Sequence, residues 1–151
     1  MVFEQGPYLT VAAICDKALQ EKDGVISLIR VVDKITSSPV GPNVPEQMPP
    51  FPANLSLVIM LRAGETSSTH TITIRPEAPA PAPSPPETEV PVSFSGVPGD
   101  GANLVVNITF VPPIEGQYWF NILLDSQLLT RVPLRVEYAP LRPGSQGLAP
   151  E

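Results

Sequence analysis

Apolar and polar residues alternate with a period of two along most of the chain. His70, Ile72 and Ile74 interleave with Thr69, Thr71 and Thr73, and Val90, Val92 and Phe94 interleave with Pro91, Ser93 and Ser95. Successive side chains on a strand point to opposite faces, so this period predicts strands with one buried face. Further runs rich in β-branched and aromatic residues cover Gly24 to Ile35, Ala53 to Ala63, Ala102 to Phe110, Gly116 to Asp125 and Leu128 to Tyr138, each bounded by Gly, Pro, Asn or Asp. Val11 to Gly24 fits two patterns, because Ala12, Cys15, Ala18 and Leu19 also make a helical face that ends at Gly24. The stronger pattern is a strand to about Lys17 followed by a helical turn over Leu19 to Lys22. The expectation is an all-β, antiparallel sandwich of about eight strands.

The connections fall into two kinds. Asp23-Gly24, Ala63 to Ser67, Pro98 to Gly101 and Asp125-Ser126 are tight, with Gly or Asp supplying the turn chemistry. Thr36 to Pro52 and Pro76 to Glu89 carry six prolines each, and Val111 to Glu115 carries two. Eight strands that reverse each time put the three proline-rich loops and both termini at one pole, and Asp23, Asp100 and Asp125 at the other. Such loops are stiff and poor in backbone donors. They read either as tolerated surface insertions or as a pole that faces a partner. Pro76 to Glu89 has almost no large apolar side chain, which makes it a segment dispensable for folding. Residues 1–138 are expected to form a single sandwich domain with proline-rich loops at 36–52 and 76–89, and residues 139–151 a flexible tail.

Composition supports a packed core: Leu, Ile, Val and Phe make up 45 of 151 residues, against 21 prolines and 10 glycines. The formal charge is −6, from 15 acids and 9 bases, and Lys and Arg do not cluster. A nucleic-acid partner is therefore excluded from the expectations, because such a binder offsets phosphate charge with a basic face. Cys15 has no second cysteine to pair with, which fits a reducing compartment. The start Met-Val-Phe-Glu-Gln-Gly-Pro7 lacks the basic opening of a secretion signal, and the apolar run Tyr8 to Cys15 is far short of the roughly 20 residues a membrane span needs. No membrane partner follows, and the expected setting is cytoplasmic or virion-associated. Asn54-Leu-Ser56 and Asn107-Ile-Thr109 match the glycosylation pattern as chance matches.

Candidate chemistry is sparse. His70 is the single imidazole and shares the parity of Ile72 and Ile74, as a half-buried, satisfied histidine does. One Cys and one His do not make a zinc site, which needs three or four converging ligands. A Cys15–His70 nucleophilic pair is arithmetically possible, but Ala-Ala-Ile-Cys15 is the setting of a buried, inert thiol. Asp23, Asp100 and Asp125 adjoin turns and lack the Asp-x-Asp spacing of a calcium loop. The sequence contains no phosphate loop and no nucleophile elbow. The expectation is no enzyme, no cofactor and no metal.

Pro113-Ile-Glu-Gly-Gln-Tyr-Trp-Phe-Asn-Ile-Leu-Leu-Asp125, followed by Leu128 to Val136, resembles the final hairpin of immunoglobulin-like domains, in which Pro-x-x-Gly-x-Tyr-x-Phe opens the penultimate strand. The opening Ile14-Cys-Asp-Lys17 and the Asp23-Gly turn are similar to a group of short uncharacterised bacterial β-sandwich proteins with an opening Cys-Asp strand. The resemblance implies an immunoglobulin-like sandwich and transfers no functional residue.

The outward positions carry the functional expectation. Trp119 and Leu123 have the parity opposite to Tyr118, Phe120 and Ile122. Val58 and Met60 lie between Leu57, Ile59 and Leu61, and Val105 lies between Leu104 and Val106. A sheet with one wet face alternates with polar residues, so a doubly apolar strand is covered by loops or by another chain. Trp119, Leu123, Val105, Val58 and Met60 are the expected interface, on one apolar sheet face, for a protein partner or for self-association. The function expected is a non-catalytic protein-binding or assembly module. The rivals are a decoration or capsid-associated protein of a virus or phage, and a glycan- or small-molecule-binding domain with Trp119 and Tyr118 as its stacking platform.

Overall fold

A computed structural model describes residues 6–64, 68–97 and 99–141. Nine strands follow in chain order: β1 (Tyr8–Gln20), β2 (Ile26–Val31), β3 (Lys34–Ser37), β4 (Ala53–Arg62), β5 (Thr69–Glu77), β6 (Thr88–Ser93), β7 (Gly101–Phe110), β8 (Gly116–Leu124) and β9 (Gln127–Tyr138). They form a four-stranded sheet, β2-β1-β4-β7, and a five-stranded sheet, β3-β9-β8-β5-β6. The all-β expectation is borne out, and no helix among the described residues is long and apolar enough to cross a membrane.

The period-two rows meet between the sheets. Leu55, Leu57, Ile59 and Leu61 of β4 share one buried cluster with Ile72 and Ile74 of β5, Tyr118, Phe120, Ile122 and Leu124 of β8, and Val132, Leu134 and Val136 of β9. Each such side chain taken out of water contributes roughly 1.5 to 3 kcal/mol before entropy is counted. Phe110 stands edge-on to both Tyr118 and Phe120, with ring centroids 5.1 and 6.0 Å apart. β8 enters the core from Gly116, whose φ of +141° and contact with Pro79 leave no room for a side chain. Two residues on, the Tyr118 hydroxyl donates to the Ile114 carbonyl at 2.6 Å and fixes the loop before the strand.

The expectations need correction between Gly24 and Ile35. That run is two strands: β2 pairs with β1, and after Val32-Asp33 the chain crosses to the other sheet, where β3 runs parallel to β9. The count among the described residues is nine, and the β3–β9 pairing is parallel. Val31 lies opposite Cys15, in the middle of β1, so the chain turns back half-way down the sheet. The extra reversal changes the parity of everything before it. β1 starts opposite the end of β4, Tyr8 facing Arg62, so the amino-terminal end of β1 lies away from the proline-rich loops and the Asp23-Gly24 turn lies towards them. Asp23 is therefore separated from Asp100 and Asp125. The helical turn also fails to form: β1 continues to Gln20, and Glu21 and Val25 close a hairpin turn on Gly24 at φ +88°.

The remaining poles are as the parity placed them. Ala63 donates to Asp100, Phe94 to Ser68 and Asp125 to Thr71, tying the tight connections together. At the other end the Tyr138 hydroxyl donates to Pro45 at 2.6 Å, its amide donates to Glu115, and Pro79 abuts Gly116. Ala139 donates to Ser37 and Leu141 pairs with Val40, so the first residues of the expected tail are held. Residues 142–151 lie outside the described residues.

Phe120→Ala should lower unfolding free energy by about 3 to 5 kcal/mol, as the ring is buried against Phe110. Tyr118→Phe, which removes only the hydroxyl, should cost about 1 to 2 kcal/mol. Urea titrations of both variants check the pair. A Tyr118→Phe cost as large as that of Phe120→Ala would show that the hydroxyl matters as much as the ring packing.

Candidate interaction surfaces

The five expected interface residues divide between two faces, because β4 and β7 belong to one sheet and β8 to the other. Trp119 and Leu123 lie on the outside of the five-stranded sheet. There the Arg131 guanidinium lies 4.2 Å from the centre of the Trp119 ring, while its Nη2 donates to Glu77 at 2.7 Å and its Nε to Asn121 at 2.8 Å. Trp119 is thus half-buried under a cation held in place on both sides. Leu123 is buried. Ion pairs Arg75–Glu87, Lys34–Glu137 and Arg135–Glu137 cover more of this face. Tyr118 points the other way, into the core, so Tyr118 and Trp119 do not form a stacking platform.

The outside of the four-stranded sheet has a different character. Val58 lies between Ala13 of β1 and Val105 of β7, and Met60 lies opposite Val11. Val58 and Cys15 are fully buried yet stand apart from the inter-sheet cluster. Next to them on the same face Ser56 bonds to Asn107 and Thr109 to Asn54, and on β2 Ile29 and Val31 face Lys17 and Cys15. Val31 is 65% exposed, Val105 42% and Ile29 40%. Of the five expected residues Val105 alone is exposed, and Ile29 and Val31 were missed. The sequence signal for them was present, but it was read as part of one long strand whose register the crossing at Val32-Asp33 breaks.

A third feature opens along the side of the sandwich where β6 and β7 are the edges. An apolar crevice of about 310 Å³ runs there, lined by Ile74, Val106, Ile108, Phe110 and Phe120 and roofed by Pro85 and Pro86. The Pro76 to Glu89 segment therefore does have something to pack on: Pro85 and Pro86 form one wall of the crevice between the sheets, and Ala78 packs against the core.

His70 sits at the opposite pole in a chain of hydrogen bonds that the sequence did not disclose. Its Nδ1 is 2.5 Å from Asp125, its Nε2 is 3.0 Å from the Ser68 hydroxyl, and its ring leans on Phe94. The order Ser, His, Asp is that of a proton relay. Asp125 is committed to structure, however: it also accepts from the Thr71 amide at 2.9 Å, and its own amide donates to Thr71. Asp125 and Ser126, with φ of +47° and +71°, make the two-residue turn between β8 and β9. The result is a clamp from that turn to the start of β5. Burial alone would raise the Asp125 carboxyl, but hydrogen bonds from Thr71 and His70 and the imidazole charge outweigh it and hold it below the usual carboxylate range. Asp100 likewise accepts from Ser95 and Gly101, which lowers it, and Asp23 accepts from Val25. These aspartates spend their oxygens on backbone turns. Among the described residues no three of His, Cys, Asp and Glu converge on a common point. Burial pushes the Cys15 thiol up.

Residues 10–137 match the sequence profile of DUF6941, a family of unknown function, and the chain belongs to that family. No curated protein matches it.

Asp125→Asn keeps a residue that tolerates positive φ and removes the charge. A carboxyl depressed in the folded state stabilises above its unfolded value of about 3.9, and loses that contribution as pH falls through the folded value. The urea midpoint of the wild type should exceed that of Asp125→Asn at neutral pH, and the gap should close on acidification to about pH 3. A gap that ignores pH would overturn the clamp. Cys15 should react slowly with an aromatic disulfide reagent in the native protein and at once in denaturant. Rapid native labelling would contradict its burial.

Proposed function

We propose that this DUF6941 member is a non-catalytic, immunoglobulin-like binding or assembly module that engages protein through the outside of its four-stranded sheet. The observation that carries the reading is the contrast between the two outer faces. One is crossed by Arg131, Glu77, Arg75 and Glu87; the other exposes Ile29 and Val31 on one edge strand and Val105 on the opposite one, with Met60 half-buried and only Lys17 and Arg62 as charge among the described residues of β1, β4 and β7 that share it. A solvated sheet face follows the first pattern, and an exposed apolar patch of the second kind marks an interaction site.

Two details support the immunoglobulin-like reading. β3 pairs in parallel with the last strand, β9, and the Tyr118 hydroxyl bonds back to Ile114 at the start of the penultimate strand, as a tyrosine corner does. In such domains loops and sheet faces bind, and the scaffold supplies rigidity.

A photo-crosslinking amino acid at position 29 should capture a discrete protein in extracts of the source cell, while the same group at Arg135, on the charged face, should not. Val31→Lys should cut the position-29 adduct about tenfold. It should shift stability by no more than about 0.5 kcal/mol, since Val31 is exposed. Equal labelling from both positions, or none from either, would remove this reading.

A further inference from the structure

The four sheet edges are not treated alike. β2 has six residues, and Arg30 interrupts it at a φ of +56°. β3 has four, with Lys34 at its start. β6 has six and contains Glu89 and Pro91. Short length, charge, proline and local distortion are the devices that keep an edge from pairing with another chain. β7 has none of them. It is ten residues long, Gly-Ala-Asn-Leu-Val-Val-Asn-Ile-Thr-Phe, without charge or proline. Its register with β4 is unbroken over all ten pairs, and its other side is the edge of the sheet. Its inward residues Leu104, Val106 and Ile108 are only partly buried, and the last two line the open crevice.

We propose that β7 pairs antiparallel with β7 of a second copy, on a two-fold axis through Val105, to make one continuous eight-stranded sheet. This goes beyond the outer-face reading: it adds a second surface, the lateral edge, and names a second copy of the chain as its occupant. The occupant follows from the strand's own pattern. With Val105 on the axis, Asn103 faces Asn107 of the second copy, Leu104 faces Val106 and Ala102 faces Ile108, so amides meet amides and apolar residues meet apolar residues. Moving the axis by one residue to Val106 sets Val105 against Asn107, and moving it to Leu104 sets Asn103 against Val105. Of these three registers only the one centred on Val105 keeps amide against amide. Charge agrees, because neither strand brings an ionised group that pairing would bury, whereas a charged peptide would. The net −6 is carried elsewhere and is too small to oppose a specific contact. Pairing also satisfies the row of backbone donors and acceptors that the β7 edge presents.

Sedimentation equilibrium on the full-length protein should give twice 16.2 kDa at tens of micromolar. Val105→Lys and Val105→Glu each set like charges directly opposite one another across the axis. Each should weaken the dimer at least about tenfold, with a β-type circular dichroism spectrum showing that the fold persists. An equimolar mixture of the two should regain the two-chain mass, because Lys now faces Glu. A monomeric wild type over this range overturns the pairing, and so does a Val105→Lys variant that dimerises as well as the wild type. So does a wild type in which a crosslinker on β7 captures a different protein rather than a second copy. If the position-29 adduct survives in a monomeric wild type, the binding reading stands and only the β7 pairing is lost. A dimer without that adduct leaves the pairing and removes the outer-face partner.

Discussion

Everything in this fold depends on the shared burial of the inward rows of β4 and β8. Each strand is flanked on both sides, β4 by β1 and β7 and β8 by β9 and β5, so the two rows organise the sheets around them. Leu57, Ile59 and Leu61 meet no solvent, nor do Ile122 and Leu124. Period two allows no compromise here. A slip of one residue in β8 would exchange Tyr118, Phe120 and Ile122 for Gln117, Trp119 and Asn121 in the core. The register is pinned at both ends of the strand, by Gly116 and the Tyr118–Ile114 bond at one and by the Asp125-Ser126 turn and its hold on Thr71 at the other.

This is why the strands of the core were legible in the sequence and the route between sheets was not. Alternation in β4, β5, β7, β8 and β9 reports the pleat, which is local, and their limits were placed to within a residue or two. The division of Gly24 to Ile35 is a tertiary event. Val31, Val32 and Ile35 suit a strand in either sheet, and nothing local says that Val31 stays with β1 while Ile35 joins β9. From that one reversal the amino-terminal end of β1 and Asp23 were placed at the wrong ends. Doubly apolar strands were also legible, but parity does not say which sheet a strand joins. Trp119 and Val58 could be called outward; that they look away from each other could not be read. Nor could the guanidinium over Trp119, which depends on the cross-strand register of Asn121 with Arg131.

The prolines look different once their contacts are known. A loop without large apolar side chains still has something to bury, because Pro79, Pro85 and Pro86 are themselves compact apolar surfaces with φ already fixed. They cover the end of the core at little entropic cost. Tyr138 then fastens a second proline-rich loop through the Pro45 carbonyl, an acceptor that such a loop has in excess. Stiffness and spare acceptors, read first as signs of a partner-facing pole, are used at least in part within the chain. That moves the weight of the functional argument from the loops to the sheet.

On the sheet the decisive comparison is between positions of equal opportunity. Both outer faces are built on strands whose inward sides share the same core. One received Arg75, Glu77, Asn121, Arg131 and Arg135, enough polar groups to cover even a tryptophan. The other received valines, alanine and methionine beside Lys17, Ser56 and Arg62, and the lateral edge of that same sheet received asparagines and threonine without a single charge. A chain with 24 ionisable acids and bases to distribute, 15 and 9, had no shortage of material for the second face. Solubility of an isolated monomer would favour charge at those positions, and folding does not require its absence, since Val105 and Val31 add nothing to the inter-sheet core. What a sparsely charged face and an uncharged edge do favour is contact with other protein surface, because few ions have to be stripped of water when the surfaces meet.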